Sequence, residues 1–222
     1  MKTAFDKLFS QKKDDSFFQK ETNGLMIQSI LDNDLYKFTM QQAVHRLYPR
    51  AEVVYTFINR ADTRFPEGFD QVLKEKIQNM TRLCLSPQER QFLERTCPYL
   101  SPVYLDFLQS YQYDHQEISI SQKNGILNLN IKGYWYRTIL WEVPLMALIS
   151  ESYFHMLGDP PMSEKERKLI NLEKARALGK EKIKFADFGT RRRYSAKNHE
   201  QVLRDLLSYE HSSLIGTSNV YL

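Results

Sequence analysis

Residues 184–193 read Lys-Phe-Ala-Asp-Phe-Gly-Thr-Arg-Arg-Arg, an apolar run that ends at a glycine and is soon followed by three consecutive arginines. Ile183, Phe185 and Phe188 predict a buried strand, and Gly189 predicts a turn where that strand ends. Arginine offers a planar fork of donors that fits phosphate oxygens, so this loop is a candidate seat for a phosphorylated ligand. A solvated basic loop is the alternative interpretation of these residues alone.

A helix and a second strand are expected directly after the arginine loop. Ser195 predicts the N-cap of the helix, whose N-terminus would add partial positive charge beside the loop. The apolar side of this helix carries Val202, Leu203, Leu206 and Leu207. The second strand, 213–215, ends in Gly-Thr-Ser-Asn at 216–219, whose hydroxyls and amides could hold an anion. The same four residues are also ordinary turn chemistry.

Alternation of helices and short strands after Gly133 predicts a parallel α/β architecture, in which ligands bind beyond the C-terminal ends of the strands. We therefore expect a polar tail over residues 1–22, a mixed α/β domain over 23–133 and the first part of an α/β barrel over 134–222. Because two parallel strands cannot close a barrel, the chain is expected to be the N-terminal part of a longer protein.

Local signals upstream predict several further elements. Asp34 is the expected N-cap of a helix. The β-branched and aromatic run at 52–58 predicts a strand that is buried on both faces. Asn124-Gly125 predicts the tight turn of a β-hairpin. An apolar helix over 139–156 is expected to bend at Pro144.

Three serines mark the starts of other helices. Ser86 and Ser163 are each followed three residues later by a glutamate, which is the spacing of a capping box. Ser101 precedes a proline, another typical helix start. Between residues 69 and 80, apolar side chains recur at helical spacing and predict one more helix.

Composition excludes several classes of protein. With 222 residues, of which 42% are hydrophobic, the chain can bury a substantial core. Its formal net charge of +4 is small and scattered, which argues against a nucleic-acid partner. The longest apolar stretch, 139–149, contains Glu142 and Pro144 and is too short to span a membrane. No export signal is visible, and Cys84 and Cys97 lack ligand-spaced partners, so we expect a cytoplasmic protein with reduced thiols. The histidines of the sequence form no metal-binding pattern.

A second candidate segment lies at residues 32–40, Asp-Asn-Asp-Leu-Tyr-Lys-Phe-Thr-Met. Acids near a helix start usually cap the helix, and an aromatic residue on that helix usually belongs to the core. Tyr36 and Lys37, however, adjoin the core-facing positions rather than forming a regular stripe. They are therefore free to face a pocket, with capping and core packing as the alternative.

Four motifs follow one another along the chain. They are Asp-x-Asp-x-Tyr-Lys-x-Thr-Met at 32–40, Trp-Glu-Val-Pro-Leu at 141–145, Asp-Phe-Gly-Thr-Arg-Arg-Arg at 187–193 and Gly-Thr-Ser-Asn at 216–219. In this order and spacing the sequence resembles the bacterial nicotinate phosphoribosyltransferases. The resemblance extends over 29–222, and the last two motifs are its most specific part.

The resemblance implies a type II phosphoribosyltransferase fold and a reaction. Nicotinate would attack C1 of 5-phosphoribosyl 1-pyrophosphate, displace pyrophosphate and give nicotinate mononucleotide, an entry step to NAD. The resemblance also implies ATP hydrolysis coupled through a phosphohistidine, Mg²⁺ accompanying the pyrophosphate, and a homodimer with shared active sites. The phosphorylated histidine is expected beyond Leu222, so no histidine here is assigned that role, His211 included. The 222 residues alone could therefore lack activity.

Roles for particular residues also follow from the resemblance. Phe188 would stack on one face of the pyridine ring, and Tyr36 from the neighbouring subunit would stack on the other. Arg191 would contact 5-phosphoribosyl 1-pyrophosphate or the ring's substituent. Ser218 lies where related nicotinamide-using enzymes carry an aspartate, which would repel a carboxylate, so serine favours the acid. Further candidates for substrate binding are Asp34, Lys37, Thr190, Arg192 and Thr217, and no residue is assigned to a metal.

Two alternatives to this interpretation stay open. A non-catalytic basic module could use the arginine loop on RNA or a phosphoprotein, but the other lysines and arginines are spread evenly among acids. A phosphoribosyltransferase for nicotinamide or quinolinate would share most of the same motifs. Ser218 opposes nicotinamide, although only as a single position.

Overall fold

An antiparallel sheet packed by helices comes first along the chain, and a parallel pair of strands comes last. The computed structural model describes residues 25–158, 160–209 and 213–220; the predicted tail at 1–22 and His211 lie outside these ranges. The helices are α1 (Leu35–Leu47), α2 (Phe69–Met80), α3 (Pro87–Thr96), α4 (Pro102–Ser110), α5 (Trp135–Thr138), α6 (Glu142–Leu157), α7 (Glu164–Lys180) and α8 (Ala196–Leu207). The strands are β1 (Glu52–Thr56), β2 (Ile118–Lys123), β3 (Ile126–Tyr134), β4 (Phe185–Asp187) and β5 (Leu214–Thr217), with short 3₁₀ turns at His115–Glu117 and Thr190–Arg192.

The first sheet is antiparallel, with the strand order β1-β3-β2. The predicted hairpin is confirmed, because Asn124 and Gly125 join β2 to β3 with φ angles of 51° and 75°. Both values lie in the left-handed region that this two-residue turn requires. The predicted strand at 52–58 is confirmed over 52–56, but its burial on both faces is wrong. β1 is an edge strand with alternate residues exposed, because the core covers only one face of this antiparallel sheet.

The helix starts that were predicted from serine are confirmed. Ser86 and Ser163 form complete capping boxes with the glutamates three residues later. Ser101 and Ser195 each accept a hydrogen bond from the third amide of their helices. These interactions satisfy amide groups that would otherwise lack a partner at the helix ends.

The apolar segment predicted as one helix over 139–156 is divided differently. A short helix, α5, precedes it, and α6 begins only at Glu142 and ends at Leu157. Pro144 therefore lies in the first turn, where its missing N–H removes no helical hydrogen bond, and not in the middle of a helix. Ile139, Leu140 and Trp141 are fully buried between the two helices.

The main core continues past the predicted domain boundary near Gly133. Buried apolar side chains from Ile27 through Ile149 belong to one cluster, so α6 packs with the antiparallel sheet and its helices. A smaller cluster joins α7, α8 and β5 and consists of Ala175, Leu203, Leu206 and Leu214. The mixed α/β fold class is thus confirmed, and no described helix is long and apolar enough to cross a lipid bilayer.

The predicted strand of the arginine segment is present but short. β4 pairs in parallel with β5, and Asp187 lies opposite Thr217. The predicted burial of Ile183 and Phe188 is wrong, since both are exposed and Phe188 is 65% exposed. Only three residues of β4 are paired, so the side chains just outside them have little to pack against.

Backbone hydrogen bonds join the start of α1 to the end of β5. The Leu35 amide donates to the Ser218 carbonyl at 2.7 Å, and the Val220 amide donates to the Asn33 carbonyl at 3.0 Å. In the same region α6 packs against the 3₁₀ turn Thr190–Arg192. Segments that are distant in the sequence thereby meet at the C-terminal ends of β4 and β5.

Candidate functional site

A cluster of charged and polar side chains lies where the N-termini of α1 and α6 meet the loops after β4 and β5. We call it the Arg191 cluster, and its members are Asp34, Tyr36, Lys37, Glu142, Arg191 and Ser218. Five of the six were predicted from the sequence, and Glu142 was missed as a site residue. Its signal was visible, because an acid within the apolar run at 139–149 needs a polar partner.

Arg191 makes three polar contacts within its own chain. Its Nη1 lies 2.8 Å from Oε1 of Glu142, and its Nη2 lies 3.4 Å from Oδ2 of Asp34. Nη2 also donates to the Tyr36 hydroxyl, and the guanidinium carbon is 5.9 Å from the centre of the Tyr36 ring. The Arg191 side chain is 35% exposed, so a ligand in solution can reach it.

Glu142 connects Arg191 to a second cation. Its Oε2 accepts a hydrogen bond from Nζ of Lys37, while its Oε1 faces Arg191. The Lys37 side chain is only 5% exposed, which explains why it needs an anionic partner. The cluster therefore contains two carboxylates and two cations in mutual contact.

Asp34 does not act as the helix cap that was predicted. In the described part of the chain its side chain bonds no amide of α1; it accepts from the Ser218 hydroxyl at 2.6 Å and pairs with Arg191. The first amide of α1 is satisfied instead by the Ser218 carbonyl, which frees the carboxylate. Serine at position 218 was predicted to favour an acid because it lacks the negative charge of an aspartate. In the structure, however, the Asp34 carboxylate places a negative charge beside the Ser218 hydroxyl.

Tyr36 contacts Arg191 of its own chain through its hydroxyl and its ring. That a neighbouring subunit supplies Tyr36 to the site, as the resemblance implies, stays a prediction. Burial raises the pKa of the Tyr36 hydroxyl, and the nearby Arg191 charge acts in the opposite direction. The hydroxyl therefore stays protonated at neutral pH.

A second cluster holds the arginine loop from inside, and we call it the Arg193 cluster. Arg193 donates from Nη1 and Nη2 to the two oxygens of Asp32, both at 2.7 Å, and from Nε to Glu151 at 2.5 Å. Its side chain is 1% exposed. Asn219 donates to Asp32 at 2.9 Å and to the Thr190 hydroxyl at 3.1 Å. Thr190 and Arg193 are therefore committed to internal contacts.

Burial in this cluster has an electrostatic consequence. It raises the pKa of the Glu151 carboxyl to about 7, although the Arg193 charge and hydrogen bond act to lower it. Arg193 already faces the Asp32 carboxylate, and a second buried anion would leave the cluster with excess negative charge. Because Arg193 is bound within this cluster, only two of the three arginines that were predicted to be available to a ligand remain so. These are Arg191 and the exposed Arg192.

A third group of contacts surrounds Asp187 at the end of β4. Its Oδ2 lies 2.7 Å from Nε2 of the buried His199 and accepts from the Thr217 hydroxyl at 3.0 Å. Burial acts to raise the pKa of Asp187, but the hydrogen bonds and charge of His199 and its other partners hold that pKa below its ordinary value. Thr217, a predicted ligand-binding residue, is therefore bonded internally.

Gly189 is needed here for space and not for a turn conformation. Its φ of −77° is open to any residue, which corrects the predicted reason for the glycine. A Cβ at this position would lie 2.8 Å from Nε2 of His199 and 3.0 Å from Oδ1 of Asp187. The glycine therefore permits the Asp187–His199 contact.

The geometry defines what this site can do. Arg191 can bind an anion from solution, and the exposed ring of Phe188, three residues earlier in the same loop, can stack on a flat aromatic ligand. Among the described residues there is no group of three or more histidine, cysteine or acidic side chains that could hold a metal ion. A cavity of about 240 Å³ lies elsewhere, between α7 and α8, and is lined in part by Met162, Lys174 and Tyr194.

Comparison with known protein families gives two matches. Residues 31–150 match the nicotinate phosphoribosyltransferase (NAPRTase) N-terminal domain, and residues 183–222 match the nicotinate phosphoribosyltransferase (NAPRTase) family. The two ranges contain every member of the Arg191 cluster. They leave out the whole of α7, which contains no residue of any predicted site.

Individual proteins give the same result. The chain is 57% identical over 197 residues to a nicotinate phosphoribosyltransferase from Desulforapulum autotrophicum, covering 89% of this chain and 51% of that protein. It is 48% identical to one from Chromohalobacter salexigens, covering 89% and 50%. The chain thus spans about half the length of the curated relatives it matches.

Solved structures also resemble this fold. The crystal structure of nicotinate phosphoribosyltransferase from Porphyromonas gingivalis superposes with a TM-score of 0.83 at 39% identity, covering 88% of this chain and 50% of that one. The enzyme of the same name from Vibrio cholerae gives a TM-score of 0.79 at 26% identity, covering 90% and 49%. Both likenesses cover most of this chain.

Proposed function

This chain belongs to the nicotinate phosphoribosyltransferase family, and we propose that it forms the pyridine-binding part of an enzyme of NAD biosynthesis. The enzyme would join nicotinate to 5-phosphoribosyl 1-pyrophosphate and release nicotinate mononucleotide and pyrophosphate. The relatives cited above are named for nicotinate, so nicotinamide, quinolinate and a non-catalytic role in binding phosphate or RNA are not favoured.

The observation that carries this proposal is the half-exposed Arg191 in the same loop as the exposed ring of Phe188. Arg191 would pair with the carboxylate of nicotinate, and Phe188 would stack on the pyridine face. Tyr36 would cover the ring from the Arg191 side. The transition state carries positive charge at the ribose, so holding the flat ring and the anionic groups in fixed positions lowers its free energy.

Other predicted residues take different parts in this proposal. Lys37 and Asp34 would set the charge around Arg191, and Ser218 would orient Asp34. The exposed Arg192 remains a candidate for contact with 5-phosphoribosyl 1-pyrophosphate. Thr190 and Thr217 would act indirectly, by fixing the loops after β4 and β5.

ATP and Mg²⁺ enter the proposal only through the family resemblance. The carboxylates of Asp34 and Glu142 are already paired with Arg191 and Lys37, and the described residues hold no cluster of metal ligands. These residues therefore do not fit a Mg²⁺ site, and we assign no step through Mg²⁺ or ATP to them.

We also infer a cytoplasmic homodimer. The two cysteines, Cys84 and Cys97, are unpaired, which suits a reducing compartment. The formal net charge of +4 is small, so we do not expect nucleic acid as a partner. Size measurement in solution tests the dimer.

Pyrophosphate release by the full product of the gene tests the activity. We expect release with nicotinate and 5-phosphoribosyl 1-pyrophosphate, stimulated by ATP, and little release with nicotinamide or quinolinate. The matched control is Arg192→Ala, which removes a neighbouring exposed arginine and should affect nicotinate affinity less than Arg191→Ala. Equal turnover of nicotinate and nicotinamide would contradict the proposed role of Arg191.

A further inference from the structure

Oε1 of Glu142 lies 2.8 Å from Nη1 of the partly exposed Arg191, so an anion from solution that pairs with this nitrogen would compete with Glu142. We propose that Glu142 is a specificity-determining and positioning residue: it occupies Arg191 until the anionic group of the substrate takes its place. The inference rests on the proposed function, because it concerns the way in which nicotinate gains access to Arg191. Glu142 belongs to the Trp-Glu-Val-Pro-Leu motif at 141–145, to which the sequence assigned no role in the site.

The two oxygens of Glu142 have different surroundings, which makes this exchange feasible. Oε2 is bound by Lys37, whose side chain is 5% exposed, whereas Oε1 faces Arg191, whose side chain is 35% exposed. A buried ammonium that lost its partner would be strongly destabilised, so the Lys37 pair persists. The Arg191 contact is the open one, and Glu142 keeps a cationic partner after giving it up.

The charges of the cluster determine how strongly Glu142 competes. Asp34 and Glu142 balance Lys37 and Arg191, so the ligand-free cluster is neutral and an arriving carboxylate adds a net negative charge. Glu142 is itself 31% exposed, which weakens its interaction with Arg191 through solvent screening. Because Glu142 competes for Arg191, anions that bind this arginine weakly do not displace Glu142, and the product can still be released.

A purely structural role for Glu142 is the alternative that must be distinguished from competition for Arg191. Glu142 is the first residue of α6, where an acid also interacts favourably with the helix dipole. That role predicts a lower melting temperature for Glu142→Gln with unchanged ligand affinity. Competition for Arg191 predicts tighter binding of the acid and unchanged binding of the uncharged amide.

The experiment is calorimetric titration of the full gene product with nicotinate and, separately, with nicotinamide. Glu142→Gln is expected to tighten nicotinate binding by about five- to tenfold, the effect of one lost competing charge at a partly exposed site. In an Arg191→Gln background the same change should tighten binding by less than about twofold. Glu200→Gln, which neutralises an exposed acid paired with Arg204 on α8, is the matched control and should leave affinity unchanged.

The outcomes separate the two proposals. If the wild-type protein binds no nicotinate, the proposed function fails, and the role of Glu142 fails with it. If the wild type binds nicotinate but Glu142→Gln binds it equally or more weakly, only the role of Glu142 is overturned. Should Glu142→Gln leave the buried Lys37 too unstable to fold, Lys37→Met combined with Glu142→Gln removes both charges and should show the same tightening.

Discussion

Arg191 and Arg193 lie two positions apart in one loop and have opposite surroundings. Arg193 is buried against Asp32 and Glu151, whereas Arg191 is itself 35% exposed and is shared between the buried Asp34 and the half-buried Glu142 and Tyr36. The same residue type serves as an internal anchor in one case and as a candidate ligand contact in the other. Each arginine faces two carboxylates, so burial decides the role, and the run of arginines in the sequence does not.

The largest expected effect is the loss of the anchor. Arg193→Ala leaves the carboxylates of Asp32 and Glu151 buried without their cation, which should lower the free energy of unfolding by about 3–5 kcal/mol. Urea unfolding followed by circular dichroism measures this change. Arg191→Ala is the matched control and should cost less, about 1–2 kcal/mol, because Arg191 is partly exposed and the buried Asp34 keeps its hydrogen bond from Ser218. Equal losses for the two variants would remove the distinction between anchor and contact.

The second effect is a pH dependence of the free energy of unfolding, and it arises from Glu151 in the Arg193 cluster. The pKa of Glu151 is about 7 in the folded chain and about 4.3 when unfolded, so its protonated form is favoured by folding. The stabilisation is present below about pH 4 and is lost as pH rises through 7, an effect of up to about 4 kcal/mol. Unfolding at pH 5 and pH 8 should show this fall in stability in the wild type. Glu151→Gln should have a flatter profile, and an unchanged slope would contradict the assignment.

The third effect concerns nicotinate binding, and it tests the role of the partly exposed Arg191. Arg191→Ala should weaken nicotinate binding by about 2–3 kcal/mol, the low end for a lost charge pair because the site is partly exposed and Glu142 already competes for it. Calorimetry on the full gene product measures the affinity, and the melting temperature serves as the control for folding. Unchanged affinity with a lowered melting temperature would make Arg191 structural as well.

The smallest effects concern Tyr36. Tyr36→Phe should weaken nicotinate binding by less than about 1 kcal/mol, since stacking uses the ring face, and Tyr36→Ala should weaken it by about 1 kcal/mol more. If Tyr36 and Arg191 serve one site of one chain, mixing Tyr36→Ala dimers with Arg191→Ala dimers should restore no activity. Recovery of activity after demonstrated subunit exchange would show instead that the neighbouring subunit supplies Tyr36.

Local signals were sufficient for most of the secondary structure. The capping boxes at Ser86 and Ser163 and the turn at Asn124-Gly125 formed as predicted, because they depend on residues at most three positions apart. Burial was predicted less well. Phe188 and alternate residues of β1 have the composition of core strands, yet each lies at an edge that the described residues leave exposed.

The candidate site also has features that the sequence predicts and features that depend on tertiary packing. Motifs in the sequence were enough to indicate the family and to select Asp34, Tyr36, Lys37, Arg191 and Ser218. Only the tertiary structure showed that Asp34 bonds Ser218 rather than its own helix, and that Arg193 is unavailable to a ligand. Lys37 and Glu142 are 105 positions apart, and Asp32 and Arg193 are 161 apart. Ion pairs over such separations depend on how helices and strands pack, and no local pattern of residues encodes that packing.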